Sequence, residues 1–178
     1  FSVYGRALGE LKMSGTNVNR GEQWRLDRLT VVNPAASLIV DGVWNAEGAR
    51  RGLDATVHLA IADAGDLLGR VGSPNLVAQG AGTIVGRLFW QDSPWTHDLR
   101  KLDARFDVDL KSGRFVQVES ASVKWLSLLS LQSLPRLASM QVDPAKLVQG
   151  CFVFDRIGSA LKINKGVLEV EDYSISGP

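Results

Sequence analysis

Side chains that could attack a substrate, shuttle a proton or hold a metal are scarce in this sequence. Its only histidines are His58 and His97, and its only cysteine is Cys151. Neither histidine stands in a metal-ligand spacing such as His-Glu-x-x-His. His58 has the polar parity of an alternating segment, the place of a solvated surface residue. His97, in the loop Ser93-Pro94-Trp95-Thr96-His97-Asp98, reads as a turn residue. A hydrolase would need it joined to Asp92 or Asp98 and to a nucleophile, and no Ser/His/Asp or Cys/His set can be assembled. Cys151, before Phe152 in a strand-like run, reads as a small core apolar group. Asp103, Asp107 and Asp109 share one strand parity and would suit calcium. Arg105 sits among them and Lys101 precedes them, which favours a solvated, charge-balanced face. The glycines of Gly80–Gly86 are mis-spaced for a phosphate loop and lead into a strand rather than a helix. The expectation is therefore no catalytic residue, no metal and no cofactor.

Five tryptophans (Trp24, Trp44, Trp90, Trp95 and Trp125) are many for 178 residues. Two roles stay open for them: platforms for a sugar, with the loop around Trp95 the natural place, or anchors in the core and at sheet ends. The length is that of about one domain, 1–178, with enough residues for a sizeable core. A net charge of +1 with scattered acids and bases argues against nucleic acid. One cysteine excludes an internal disulfide and leaves the compartment open. No run approaches the ~20 apolar residues that span a bilayer. The chain opens at Phe1 and closes on Ser176-Gly177-Pro178, and we read it as a piece of a longer protein whose targeting signals can lie elsewhere.

These residues must be carried by strands. Leu53, Ala55, Val57, Leu59 and Ile61 alternate with Asp54, Thr56, His58 and Ala60. Leu102, Ala104, Phe106, Val108 and Leu110 alternate with Asp103, Arg105, Asp107 and Asp109. Such period-two patterns mark strands with one buried and one wet face. Further strands are expected near Tyr4–Met13, Trp24–Val32, Leu38–Trp44, Gly82–Trp90, Arg114–Val118, Phe152–Ile157, Ala160–Ile163 and Val167–Ile175. Turn signals fall at Asn33-Pro34, Asn45 to Gly48 and Ser93-Pro94. Lys111-Ser112-Gly113 and Asn164-Lys165-Gly166 read as hairpin loops. The fold class is mainly β, a long antiparallel sheet with two or three short helical insertions.

Asp63 as N-cap, Asp66 three residues on and Gly72 as stop predict one short helix. A larger helical insertion is expected at about 122–150. Its main helix, Ser122–Leu134, carries Val123, Trp125, Leu126, Leu128, Leu129, Leu131 and Leu134 around its whole circumference, a pattern of burial in protein or contact with lipid. Asp143-Pro144 starts a second helix that closes at Gly150.

The same region carries a family likeness. Gly113-Arg114-Phe115, Leu128-Leu129-Ser130-Leu131-Gln132, Leu134-Pro135-Arg136, the run Gly150–Ile157 and the closing Ile175-Ser176-Gly177-Pro178 occur in the order of a recurring pattern. Trp24–Pro34 and Asp63–Gly72 fit it too. The chain thereby resembles the AsmA-like superfamily, in its YhdP branch of long bacterial envelope proteins, as a fragment from the C-terminal region. It departs from the pattern at Val123-Lys124-Trp125, where the family is commonly glycine-rich. It departs again at Arg136, which Leu137 follows in place of a second arginine.

The resemblance implies a long, curved β-sheet folded into a groove, polar outside and apolar inside. It also implies a non-enzymatic role, phospholipid transport between the inner and outer membranes of Gram-negative bacteria. The chain would be the periplasmic part of a protein anchored in the inner membrane. The residues then expected to meet acyl chains are Val57, Leu59, Ile61, Leu102, Phe106, Val108, Leu110, Trp125, Leu128 and Leu129. Expected partners are phospholipid acyl chains, a membrane surface, and neighbouring β-repeats of the parent chain, with no nucleic acid. Read from the residues alone, the same apolar face is also that of an ordinary closed core. An envelope scaffolding domain, or a carbohydrate- or protein-binding one, stays open as the alternative.

Overall fold

The computed structural model describes residues 1–3, 5–48, 50–92, 98–116 and 152–177. Its main element is one eight-stranded sheet in which every strand pairs antiparallel with its neighbour in sequence. The strands are β3 (Glu10–Val18), β4 (Gln23–Val32), β5 (Ala36–Asn45), β6 (Gly52–Ile61), β7 (Val77–Gln91), β8 (Leu102–Phe115), β9 (Phe152–Asn164) and β10 (Val167–Ser176). A small hairpin, β1 (Ser2–Val3) with β2 (Arg6–Ala7), precedes them. One α-helix, α1 (Ala64–Val71), connects β6 to β7. At ~4.8 Å per strand the sheet is roughly 34 Å across, and its ten-residue strands are roughly 33 Å long. It is antiparallel as the alternating pattern predicts, and open, curved and groove-like as the resemblance implies.

The helix signals act as read. Asp63 is in extended conformation and its Oδ1 accepts the backbone N–H of Asp66 at 2.9 Å, while Gly72 closes the helix at φ 99°. Asn164 to Gly166 is the β9–β10 turn, with Lys165 and Gly166 at φ 49° and 78°.

Other expectations need correction. Tyr4–Met13 is not one strand, because Gly5 and Gly9 adopt φ 76° and 126° and divide it into the hairpin and the start of β3. Lys111-Ser112-Gly113 is not a hairpin loop, because β8 runs straight through it. Hydrogen-bond ladders on both sides, to Val77–Gln79 and to Val153–Phe154, outweigh a local turn preference that survives only as φ 54° at Ser112. Phe152–Ile157 and Ala160–Ile163 are halves of the single strand β9, since Gly158 and Ser159 stay paired with Asp109 and Val108. The expected helices at 122–134 and 143–150 lie outside the described residues.

Two register shifts preserve the amphipathic pattern. In β4 the apolar parity changes from Trp24 and Leu26 to Leu29 and Val31, and a bulge at Asp27-Arg28 absorbs the extra residue. In β10 it changes from Leu168 and Val170 to Ile175 across a bulge, where Asp172 adopts φ 47°. A strand whose alternation slips by one residue would otherwise present its apolar set to the wrong face.

Candidate functional site

Register places the apolar side chains in five rows that cross the sheet. The first holds Trp24, Trp44, Leu53, Trp90 and Leu102. The second is Leu26, Gly42, Ala55, Leu88, Ala104, Ile163 and Leu168. The third is Leu29, Val40, Val57, Gly86, Phe106, Leu161 and Val170, and the fourth is Val31, Leu38, Leu59, Ile84, Val108 and Ser159. The fifth runs Ala36, Ile61, Gly82, Leu110, Ile157 and Ile175. No position in these rows is Asp, Glu, Lys or Arg. Of the expected site residues, Val57, Leu59, Ile61, Leu102, Phe106, Val108 and Leu110 are all brought together here. Trp125, Leu128 and Leu129 lie outside the described residues.

Among the described residues nothing seals this face. The buried hydrophobics among the described residues are Ala35, Ala36, Ala55, Ile61, Ala64, Ala104, Phe154, Ile157 and Ala160, mostly alanines, and Phe154 is the one large side chain fully enclosed. Val57, Leu59, Leu102, Phe106, Val108 and Leu110 all keep part of their surface in contact with solvent. Towards the free edges Met13 is 69% exposed and Leu168 48%. A closed sandwich core would bury most such residues against a second sheet about 10 Å away. A contiguous apolar surface left open marks a place where something else docks.

The sheet curls towards this face. A Cβ on Gly82 would overlap the carbonyl oxygen of Asp109, and one on Gly86 would overlap that of Arg105 and lie 2.6 Å from Cδ1 of Phe106. Both virtual atoms project to the apolar side, so the β8 backbone rises over that side at its seam with β7. Glycine is required at both places by this close approach.

The opposite face carries the charge. Asp109 accepts from Arg156 Nε at 2.8 Å, Asp27 from Arg25 Nε at 2.6 Å and from Thr16 Oγ1 at 2.8 Å. Arg87 lies 3.5 Å from Asp54, and Arg105 lies 3.4 Å from Glu171. These hydrogen bonds, from Arg156 and from Thr16 respectively, hold the Asp109 and Asp27 carboxyls below their ordinary value. His58 is exposed on this face, as its parity predicts. Asp103 accepts the Lys165 backbone N–H at 3.1 Å, and Asp107 is exposed without closing a cation site. Among the described residues no group of three or more His, Cys, Asp or Glu could hold a metal. Two open depressions, of about 290 and 570 Å³, involve this charged side at Arg50, Asp54, Arg87, Arg105 and Lys162. Their volumes are in the range of ligand pockets, but mutually paired ions at their walls make poor sites for an apolar occupant.

At the first row the apolar face meets polar groups. Trp44 Nε1 donates to the Asp92 carbonyl at 3.2 Å, and the Asp92 carboxylate contacts Lys101 and, at 3.5 Å, Arg51. The Lys101 hydrogen bond holds that carboxyl below its ordinary value. Trp90 Nε1 is buried without a partner among the described residues. Trp24 is 47% exposed. Trp24, Trp44 and Trp90 stand together at one end of the sheet; Trp95 and Trp125 lie outside the described residues. Sequence reading did not see that three tryptophans form one row. The signal was the position of each at a strand's outer end, legible only once register is known.

No helix among the described residues is long and apolar enough to cross a membrane. No curated protein and no solved structure matches the chain. Residues 1–178 match the family model described as YhdP protein.

Proposed function

Because the chain belongs to the YhdP protein family over residues 1–178, we propose that its apolar face is a trough that binds and conducts phospholipid acyl chains. That family is one of bacterial envelope proteins related to lipid transport. The observation that carries the reading is the set of uncharged rows, the longest running across the seven strands β4 to β10, while most of their side chains stay partly in solvent. Acyl chains need a continuous apolar path, and head groups need water; a one-sided open sheet supplies both. Such conduction asks for no nucleophile, base or metal, so the reading is of a non-enzymatic module. It carries the periplasmic placement and transport between inner and outer membranes as part of the same proposal.

Among the described residues β3 and β10 each have one neighbour in the sheet. A free strand edge is a template for another strand, and we place neighbouring β-repeats of the parent chain there. Each added strand would lengthen the trough by ~4.8 Å without changing its cross-section. A membrane surface remains a second proposed partner, and the leucine-dense segment with Trp125, Leu128 and Leu129 a further lipid contact.

The test is native mass spectrometry with lipid extraction on the purified chain beside a Phe106→Asp variant. Phospholipid that copurifies with wild type and is lost from a folded variant supports the trough. A lipid-free wild type, with the variant unfolded, identifies the face as an ordinary core.

A further inference from the structure

The five apolar rows differ from end to end. The first is a row of indoles, with Trp24 largely open and Arg51, Lys101 and Asp92 immediately beyond it. The fifth is aliphatic and more enclosed: Ala36, Ile61 and Ile157 are buried, as is Ala64 of α1 beside it, while Leu110 and Ile175 keep partial exposure. α1 lies on β7 at that end, where a Cβ on Gly80 would lie 3.4 Å from that of Ala64. Tryptophan concentrates where an apolar phase meets a wet, charged one, because its ring is apolar and its N–H needs an acceptor. One end of the trough has that character and the other has the character of a floor.

We propose that a glycerophospholipid lies along the strands, its phosphate and ester groups at the Trp24–Trp44–Trp90 rim and its chain ends directed towards Ile61 and Ile157. This deepens the lipid-binding reading and rests on it. The dimensions agree. Rows are two residues apart, or ~6.6 Å, so first and fifth rows stand about 26 Å apart. One leaflet of a bilayer core is about 15 Å deep, so a chain entering at the rim ends just past Phe106, short of the more enclosed end. The Nε1 of Trp90, buried with no partner among the described residues, is a donor that an ester or phosphate oxygen would satisfy. Lys101 and Arg51, although engaged with Asp92, give the rim cationic groups beside a phosphate.

The experiment reads tryptophan emission in a chain carrying Trp95→Phe and Trp125→Phe, so that only the rim indoles report. Two phosphatidylglycerol probes are compared, one with a nitroxide near the carbonyl end of its acyl chain and one with it at the methyl end. Bound lipid is counted for each by native mass spectrometry. Stronger quenching by the carbonyl-end probe at equal occupancy supports the orientation. Equal quenching, or stronger quenching by the methyl-end probe, overturns it while leaving lipid binding intact. Absence of either bound probe overturns the trough itself. Should the double variant lose its strand signal, wild type compared with Trp24→Phe isolates an open rim indole by difference, with the same outcomes.

Discussion

Truncating and then charging Phe106 separates an open trough from a closed core by stability alone. Phe106 sits in the middle row, its ring packed on Gly86 with Leu161 beside it, and it keeps part of its surface in solvent. A fully enclosed phenylalanine costs about 3–5 kcal/mol when cut to alanine. A side chain with solvent on one side leaves a dent rather than a cavity, so roughly half of that, about 2 kcal/mol, is expected here. For a domain of this size that lowers the melting temperature by about 4–8 °C. Phe106→Asp adds little to this, because a carboxylate on an open face stays hydrated, whereas an enclosed one would be unpaired and unfold the domain. Urea unfolding followed by circular dichroism gives both values. A loss above about 4 kcal/mol for alanine, or an aspartate variant without strand signal, would refute the open face.

Placing a side chain at either pinched glycine tests the curl. Gly82→Val and Gly86→Val each force the β7–β8 seam apart and should cost about 1–3 kcal/mol, with loss of bound lipid; unchanged melting temperatures would mean that the close approach is not real. Gly69→Ala in α1, where a Cβ meets nothing within 4 Å, should instead raise stability by about 0.5–1 kcal/mol, read by the same melts. Asp109→Asn should lower the melting temperature at pH 7. Because the Arg156 hydrogen bond lowers the folded-state pKa of Asp109, its contribution is present above the ordinary value of 3.8 and fades as pH falls through the lower folded value. A gap between variant and wild type that widens on acidification contradicts this sign.

Much of this architecture is legible in sequence because period-two alternation is a local property. Leu53–Ile61 and Leu102–Leu110 announce strand, face and the charge-bearing side together, and Asp63 with Gly72 announces the only described α-helix. Misreadings occur where a local preference competes with the ladder. Ser112-Gly113 prefers a turn, but two flanking strands hold it extended, and Gly113 serves to admit the Phe154 ring. The N-terminal hairpin was missed because a two-residue strand is too short to show periodicity. The tryptophan row and the pinch at Gly82 and Gly86 are properties of register between strands, which no single strand's sequence contains.

The bulges show how strictly the two faces are kept apart, and one of them gives a sharp test. Asp27 occupies the extra position in β4 and is exposed, bonded to Thr16 and Arg25. It is also the extra residue, so deleting it joins Trp24, Leu26, Leu29 and Val31 in one unbroken alternation on the same face and should cost little more than Asp27→Ala, which loses exposed contacts alone. Deleting Arg25 instead leaves the bulge in place and turns Trp24 onto the charged face, since a one-residue slip inverts every side chain beyond it. A partly buried indole moved into water costs roughly 2 kcal/mol. Chemical denaturation of the two deletions beside the alanine variant reads the difference. An Arg25 deletion as well tolerated as the Asp27 deletion would mean that the rows on this side of the sheet are not held in register. The continuous path across β3 to β5 would then fail as the basis of a conducting surface.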